Sequence, residues 1–599
     1  MILLSVLSTL PLLGGTPTPA PDNAAAPPPE SVLRRYDLNA VSRETGGGKG
    51  YFALMPASVK FRGPTDFEQD QSFHSEELVE LLDQLFREEF EYEGRMMLHT
   101  EGNELLVKAP REVHEGIREV LGFVSEATNS RTELLVDLIQ LPTEAAAQIK
   151  TLGLVELAEA ERLLDSTARG SQRESHVVSL RPGEMAELDA TTRHQLLAAY
   201  YVEVAQSSFA YDPYILTMLS GTRLSVRGAP TPGGTRLSLV LTHGTPNGPV
   251  QEVNLRHRAL VTSESGHEYM DAPHKLQKLE IAGRTYALNT SLAHGKALVL
   301  KSVLELAGEE DSQGAQFVVI RHRNAAPKLV HESTLGRGGV KLSLIPSDAL
   351  APMQLGINTW FMANREHRLG MGSLFLPEDT DECMLWAEAL WGSNDEAIEF
   401  LTSVTPDLSV EFCSDHWFLL RSGGESREQR QNASPDLEDL VEAFAPAPEV
   451  VSVRIELERL GAGASRGVSA CIPVSVGVAS ALVLGVEGTS IPDYDVEIAQ
   501  GAAVADPLTY LQIDGLAITL EPRRDARGVL TIRARGAAHL LREHVTFDPD
   551  SPMHAHLDQP LFDHLVFDET LEVGSTGGQG EGLSIGGGQN GLQLEISVR

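Results

Sequence analysis

The chain has 599 residues, 42% hydrophobic and 22% charged, an ordinary soluble composition that is too long for one hydrophobic core. Roughly three to five domains are expected at this length. Lys and Arg number 48 against 84 Asp and Glu, and the resulting net charge of -36 repels phosphate backbones and anionic headgroups, so nucleic acid is not expected as a partner.

Residues 2–13 form an apolar run of signal-peptide length, and Thr18, Pro19 and Ala20 offer small residues at a cleavage site. Residues 1–20 are therefore read as a signal peptide and the chain as exported to the periplasm or the outer membrane. The run lacks a preceding Lys or Arg and is not followed by a Cys that could carry a lipid. Residues 21–30, rich in Ala and Pro, read as a linker. No other stretch is long and apolar enough for a membrane helix, which leaves strands of a shared barrel open and membrane association undecided. Cys383, Cys413 and Cys471 are an odd set without short spacing, so neither a zinc knuckle nor a disulfide framework is implied.

The first structured unit spans residues 31–141. RYDLNAV reads as a strand, and HSEELVELLDQLFREEF as a helix with a stripe of Leu78, Leu81, Leu82, Leu85 and Phe86, capped by Ser75. Met96 and Leu98, then Leu105 and Val107, alternate around a turn containing Gly102 and Asn103, the pattern of a hairpin. Pro110 opens a second helix with the stripe Val113, Ile117, Val120, Leu121 and Val124, and TELLVDLIQL follows as an apolar strand.

The order βαββα returns some three hundred residues later. DEAIEFLTSV is a short helix, DLSVEFCSDHWFLLRS a hairpin turning at Ser414 and Asp415, and SPDLEDLVEAFA a helix capped by Ser434 with the stripe Leu437, Leu440, Val441 and Phe444. VVSVRIELERL then alternates as a half-exposed strand. Residues 31–141 and 390–460 are expected to share one fold, two helices on one face of a small sheet. Downstream of each unit, Gly221 precedes Gly234 as Gly515 precedes Gly528, by thirteen residues, with alternating strand residues Leu224 and Val226, or Ile518 and Leu520, between them. The reading is an α+β chain in tandem duplication: unit one at 31–141, a β-rich domain at 142–330, unit two at 331–460 and a second β-rich domain at 461–599.

Taken together, the βαββα unit, GTRLSVRG…GGTRLSLVL, and TSLAHGKALVLKSVLEL…QFVVIRHR resemble the secretin family of bacterial outer-membrane secretion channels. His294, Gly295, Ala297, Leu298, Val299 and Leu300 match one of that family's strand motifs, and LFDHLVFDETLEVG with LQLEISVR stands in the corresponding place of the second copy. The resemblance implies KH-like ring-building domains, a β-rich secretin-like domain, no enzymatic activity, no cofactor, and protein partners in the cell envelope with a homo-oligomer among them. Two departures are visible. The family's gate segment is missing between residues 249 and 300, and two tandem copies are not the family's usual form. A soluble periplasmic assembly is therefore expected over a membrane channel, with the helix face of one KH-like unit against the sheet edge of the next.

The second reading is a secreted metal-dependent hydrolase. SPMHAHLDQPLFDHLVFD carries His554, His556, Asp558, Asp563 and His564, residue types that bind zinc. The same residues also suit a polar strand face near a loop. HEYMDAPH holds His267, Glu268, Asp271 and His274, but Pro273 breaks the helix that a zinc-protease motif needs, and the segment reads as surface loop. GGGKG at 46–50 lacks the spacing of a phosphate-binding loop, and GGQGEGLSIGGGQNG reads as a flexible hairpin loop. Catalytic, cofactor-binding and metal residues are accordingly assigned as none.

Overall fold

The computed structural model describes residues 31–39, 41, 51–53, 75–87, 95–99, 103–167, 172–205, 208–263, 266–305, 314–324, 328–335, 340–359, 385–390, 392–404, 408–413, 417–422, 436–459, 467–499, 502–547, 557–573, 582–586 and 591–598. Residues 1–30, the GGGKG segment, Gly102, Ser414, Asp415, Ser434, His554 and His556 lie outside the described residues.

The first unit runs β1 (Ser31–Asp37), β2 (Tyr51–Ala53), α1 (Ser75–Leu85), β3 (Arg95–His99), β4 (Glu104–Pro110) and α2 (Arg111–Thr128). Its sheet is antiparallel in the order β1-β4-β3. Leu105, Val107 and Ala109 meet Leu78, Leu81 and Leu82 of α1 and Val113, Ile117, Val120 and Val124 of α2, all buried. Each such side chain contributes roughly 1.5–3 kcal/mol on leaving water, so the helical stripes read from sequence are what hold the layer. Asn103 takes a positive φ of 48° at the β3–β4 turn, a conformation that Asn adopts more readily than most residues. Its side chain accepts from the Ser75 hydroxyl, which ties the start of α1 to the hairpin.

The middle of the chain runs β5 (Thr132–Leu141), α3 (Thr143–Ala147), β6 (Gly153–Glu156), α4 (Leu157–Thr167), β7 (Gln172–Leu180), β8 (Met185–Ala205), β9 (Ser208–Thr231), β10 (Gly234–Pro246), β11 (Gln251–Ser263), β12 (Gly266–Lys278), β13 (Ile281–Ala293), β14 (Lys296–Glu305) and β15 (Ala315–His322). A second α/β layer follows: β16 (His331–Thr334), β17 (Lys341–Pro346), α5 (Ser347–Leu350), β18 (Gln354–Thr359), β19 (Leu385–Leu390), α6 (Asn394–Val404), β20 (Leu408–Cys413), β21 (Trp417–Ser422) and α7 (Leu437–Phe444). Strands β17-β21-β20 lie in the same order as β1-β4-β3, with β16 added outside β17. Helix α7 is capped by the Asp436 carboxylate, which accepts from the Glu438 N–H at 3.0 Å. This corrects the assignment to Ser434, because a cap must sit directly before the first helical residue, here Leu437.

The last segment runs β22 (Val450–Arg459), β23 (Gly467–Ser475), β24 (Ser480–Ala499), β25 (Ala502–Arg524), β26 (Leu530–Phe547), β27 (Leu557–Val573), β28 (Gly582–Gly586) and β29 (Leu592–Val598). Strands β5 and β22 belong to a nine-stranded sheet, ordered β28-β29-β22-β23-β14-β15-β5-β7 with β6 on β14, rather than to the small α/β sheets. A ten-stranded sheet, ordered β12-β11-β25-β26-β27-β24-β13-β10-β9-β8, packs on it. The chain is thus strand-rich, with its largest core between these two sheets, lined by Val136, Val226, Leu239, Ile320, Ile455, Leu482 and Leu594 among others. The HEYMDAPH segment is strand β12, paired along its length with β11, and not a loop. LSIG likewise falls in strand β28, because Leu583 and Ile585 alternate onto the core; the flexible loop expected there is interrupted by a paired strand.

Candidate functional site

Three features organise the surface and interior of the sandwich: the junctions where early and late strands join, the outer edges, and four long hairpins. Strand β9 has 24 residues, about 80 Å of extended chain, so the β8–β9 hairpin runs far beyond the part that covers the nine-stranded sheet. The β24–β25 hairpin is of similar length. Their distal parts meet the β11–β12 and β26–β27 hairpins: Val202, Ala259 and Val504 share a small buried cluster with Phe209 and Tyr211. The Thr509 hydroxyl donates to the Ala198 carbonyl at 2.7 Å.

At the junctions the two sheets are continuous. Lys301 through Glu305 of β14 pair with Cys471 through Gly467 of β23, and Ile281 through Ala287 of β13 pair with Glu487 through Ala481 of β24. Tyr286, fully buried, donates to Ser302 Oγ at 2.7 Å and so links the two layers beside both junctions; burial pushes its phenol pKa up, opposed by the Arg284 charge. Asn289 holds the same region from the other face. It donates to the Ala479 carbonyl at 2.7 Å and the Leu355 carbonyl at 3.1 Å, and accepts from the Leu355 N–H at 2.8 Å. Cys471 lies buried in this junction.

A buried ion pair also anchors the second α/β layer to the sandwich. Arg227 of β9 donates Nε to Asp348 Oδ2 at 2.6 Å and Nη2 to Oδ1 at 2.9 Å, with both side chains buried. Strand β7 is tied to its neighbours by Asp137, which is fully buried and accepts from Arg173 Nη2 at 2.9 Å and Arg321 Nη2 at 3.3 Å. Sequence reading missed both pairs. Asp137 had a signal, a carboxylate in the middle of the apolar run LLVDLIQL; Asp348 had none, since its partner is 121 residues away.

Of the residues of the zinc reading, Asp558, Asp563 and His564 are described, and each has other partners. Asp558 is bound by Lys278 Nζ at 2.5 Å and by His544 Nδ1 at 2.9 Å. Burial opposes ionisation there, but the hydrogen bonds from His544 and Lys278 hold its carboxyl well below the usual carboxylate range. Asp563 accepts from Arg459 and Arg542, and His564 stacks on His539 at 6.1 Å. These carboxylates are neutralised by cations, and no group of three or more metal-binding side chains occurs among the described residues. His267 is exposed, with Nδ1 2.9 Å from Thr262 Oγ1, and Glu268 is exposed beside it. Strand β12 also carries Asp271 and His274, opposite Arg258 and Leu255.

Buried histidines give the sandwich a pH response. His243 contacts Thr222 Oγ1 at 2.9 Å and is lowered to about 4 by burial, with Arg284 adding to the effect and Glu174 opposing it. His539 is lowered to about 4 by burial and by His564. A folded-state pKa below the unfolded value means that the unfolded chain takes up the proton first, so stability falls as pH drops below about 6.5. Each of the two is expected to cost about 2 kcal/mol by pH 5. Urea unfolding at pH 7 and pH 5 checks this. In the His243→Asn, His539→Asn double variant the difference should shrink, and an unchanged difference would assign the loss elsewhere.

No protein-family profile matches the chain, and no curated protein matches it. Among solved structures, it is similar to the ETEC pilotin–secretin complex AspS–GspD, with 11% identity and a TM-score of 0.15 over 47% of this chain and 63% of that one. It is also similar to the β-barrel of the InvG secretin domain from the Salmonella SPI-1 injectisome base, with 11% identity and a TM-score of 0.16 over 50% of this chain and 90% of that one. The chain spans less than two thirds of the length of the first of these. At such scores nothing about function passes from either complex to this protein. No helix among the described residues is long and apolar enough to cross a membrane.

Proposed function

We propose that this is a non-enzymatic protein of the cell envelope that works by self-association and by binding other proteins, as a component of a secretion assembly, and that it is built as a tandem duplication. The observation that carries this is the strand order. In the nine-stranded sheet β7-β5-β15-β14 is followed by β23-β22-β29-β28; in the ten-stranded sheet β13, last of the run β8-β9-β10-β13, pairs with β24, and β24 with β25, β25 with β26 and β26 with β27, while β27 meets β24 at Asp558 opposite Ile491. Each sheet contains two four-strand sets laid side by side, with β6 added to the first sheet and β11 and β12 to the second, and such an arrangement leaves edges able to accept another strand. The apolar run at residues 2–13 supports export.

Light scattering tests the self-association. A mass above one chain is expected, rising with salt, because a net charge of -36 per chain accumulates in an assembly and is screened by ions. A monomer at every salt and protein concentration would sink the reading.

A further inference from the structure

Two glycines in the second strands of the long hairpins, Gly221 in β9 and Gly515 in β25, fix how the sets correspond. A Cβ at Gly221 would stand 2.3 Å from the Ala190 carbonyl oxygen, and a Cβ at Gly515 would stand 2.0 Å from the Leu484 carbonyl oxygen, a contact made across the same 31-residue separation in each set. Gly221 also has a φ of +100°. From these glycines the registers run outward in parallel. Gly221 faces Thr191 and Gly244 where Gly515 faces Gly485 and His539, and Gly244 faces Gly283 where His539 faces His564. Asp189 of β8 therefore occupies the place of Val483 in β24, and Val566 of β27 the place of Thr285 in β13. At the internal junction Thr285 and Val483 stand opposite each other.

One member of each corresponding pair is covered and the other is not. Leu482 and Val483 are buried in the middle of the sheet, whereas Leu188 is half-buried and Asp189 exposed at its edge. Cys471 of β23 is buried, whereas Val177, in the corresponding place of β7, is 48% exposed, and Ser469 is half-buried where Ser175 is exposed. Val566 is 43% exposed. The α/β layers repeat the asymmetry. The face of β17 and β21 turned away from α6 and α7, carrying Leu342, Leu344, Trp417 and Leu419, is buried in the core of the first unit. The matching face of the first sheet, β1-β4-β3, presents Leu33 of β1 at 68% and Met97 of β3 at 58% exposure.

We infer that the partner of these edges is a second copy of the same chain, added head to tail, with β27 of one copy pairing with β8 of the next and β28 with β7, so that each contact between chains repeats the contact already made inside the chain. The inference rests on the self-association proposed above and specifies its geometry. Val566 then stands opposite Asp189 of the next copy and Phe567 opposite Leu188, as Tyr286 stands opposite Leu482 within the chain. An interface of this kind is heterologous; it closes into a ring if the rotation per copy allows and otherwise grows as a filament.

Opposed residues of an antiparallel pair bring their Cβ atoms within disulfide range, which supplies the test. The full-length Asp189→Cys, Val566→Cys double variant, exposed at both positions and checked for folding by circular dichroism, is oxidised and run on a non-reducing gel beside the unsubstituted chain as control for Cys383, Cys413 and Cys471. A ladder is expected from the double variant, monomers from each single variant alone, and dimers but no higher species from the two single variants mixed. A single variant that cross-links with itself would show a two-fold interface and overturn the inference. So would scattering that reports an oligomer with no cross-link at this pair, and in both cases self-association itself would stand. A monomer by scattering, with no cross-link, removes both.

Discussion

Replacing Asp348 with alanine is expected to destabilise the protein by about 3–5 kcal/mol, because it leaves the Arg227 guanidinium in the interior without its carboxylate. Arg227 and Asp348 are 5% and 2% exposed and are joined by two hydrogen bonds, so neither charge can be relieved by water where it stands. Asp348 lies in α5 and Arg227 in β9, and the pair fixes the second α/β layer against the ten-stranded sheet. Arg236 is close enough for the same carboxylate to raise its pKa against a larger lowering by burial, so the loss of Asp348 is felt at two cations. The Arg227→Met, Asp348→Leu double variant should recover most of the stability, since a buried ion pair exchanged for apolar side chains of similar volume is often neutral or better. Because a chain of several domains need not unfold in one step, hydrogen exchange at α5 and β9 is the measurement. Protection in the Asp348→Ala variant equal to that of the unsubstituted chain would show that the pair does not anchor the layer.

Trp417→Ala is expected to cost about 3–5 kcal/mol, the range for removing a buried Trp from a packed core. Trp417 is 1% exposed on β21, opposite Pro346 of β17, with the ring of His331 edge-on at 6.0 Å. It belongs to the core that also holds Leu105, Val107 and the α1 and α2 stripes, so its removal opens a cavity between the two α/β layers and not merely within one. Exchange should accelerate on both sides of that boundary, in β4 as well as in β17 and β21, whereas Trp417→Phe should lose far less. Acceleration confined to β17 and β21 would mean that the layers are held together by other contacts.

Much of the local structure was legible in the sequence because its physics is local. The stripes Leu78, Leu81, Leu82 and Val113, Ile117, Val120, Val124 are buried as their 3.6-residue spacing requires. The alternation of Leu224 and Val226, and of Ile518 and Leu520, likewise delivers those residues to one core. Asn103 turns the hairpin its neighbours announced. Errors fell where side-chain type argues against what pairing later supplies. HEYMDAPH, polar and containing Pro273, became a strand because β11 lies beside it, and the glycine-rich LSIG became β28 because Leu583 and Ile585 find a core. The partners of Asp558 and Asp563, Lys278 and Arg459, come from strands that only the fold brings near, and no local pattern announced them. By itself the sequence determined the helical stripes, the strand periods and the acidic charge. Tertiary structure alone decided that β5 and β22 leave the small sheets for the large one, that β14 joins β23 and β13 joins β24, and which edges are left over. Strand pairing is made by backbone groups that every residue carries alike, so which strand lies beside which is not written in any single stretch of the chain.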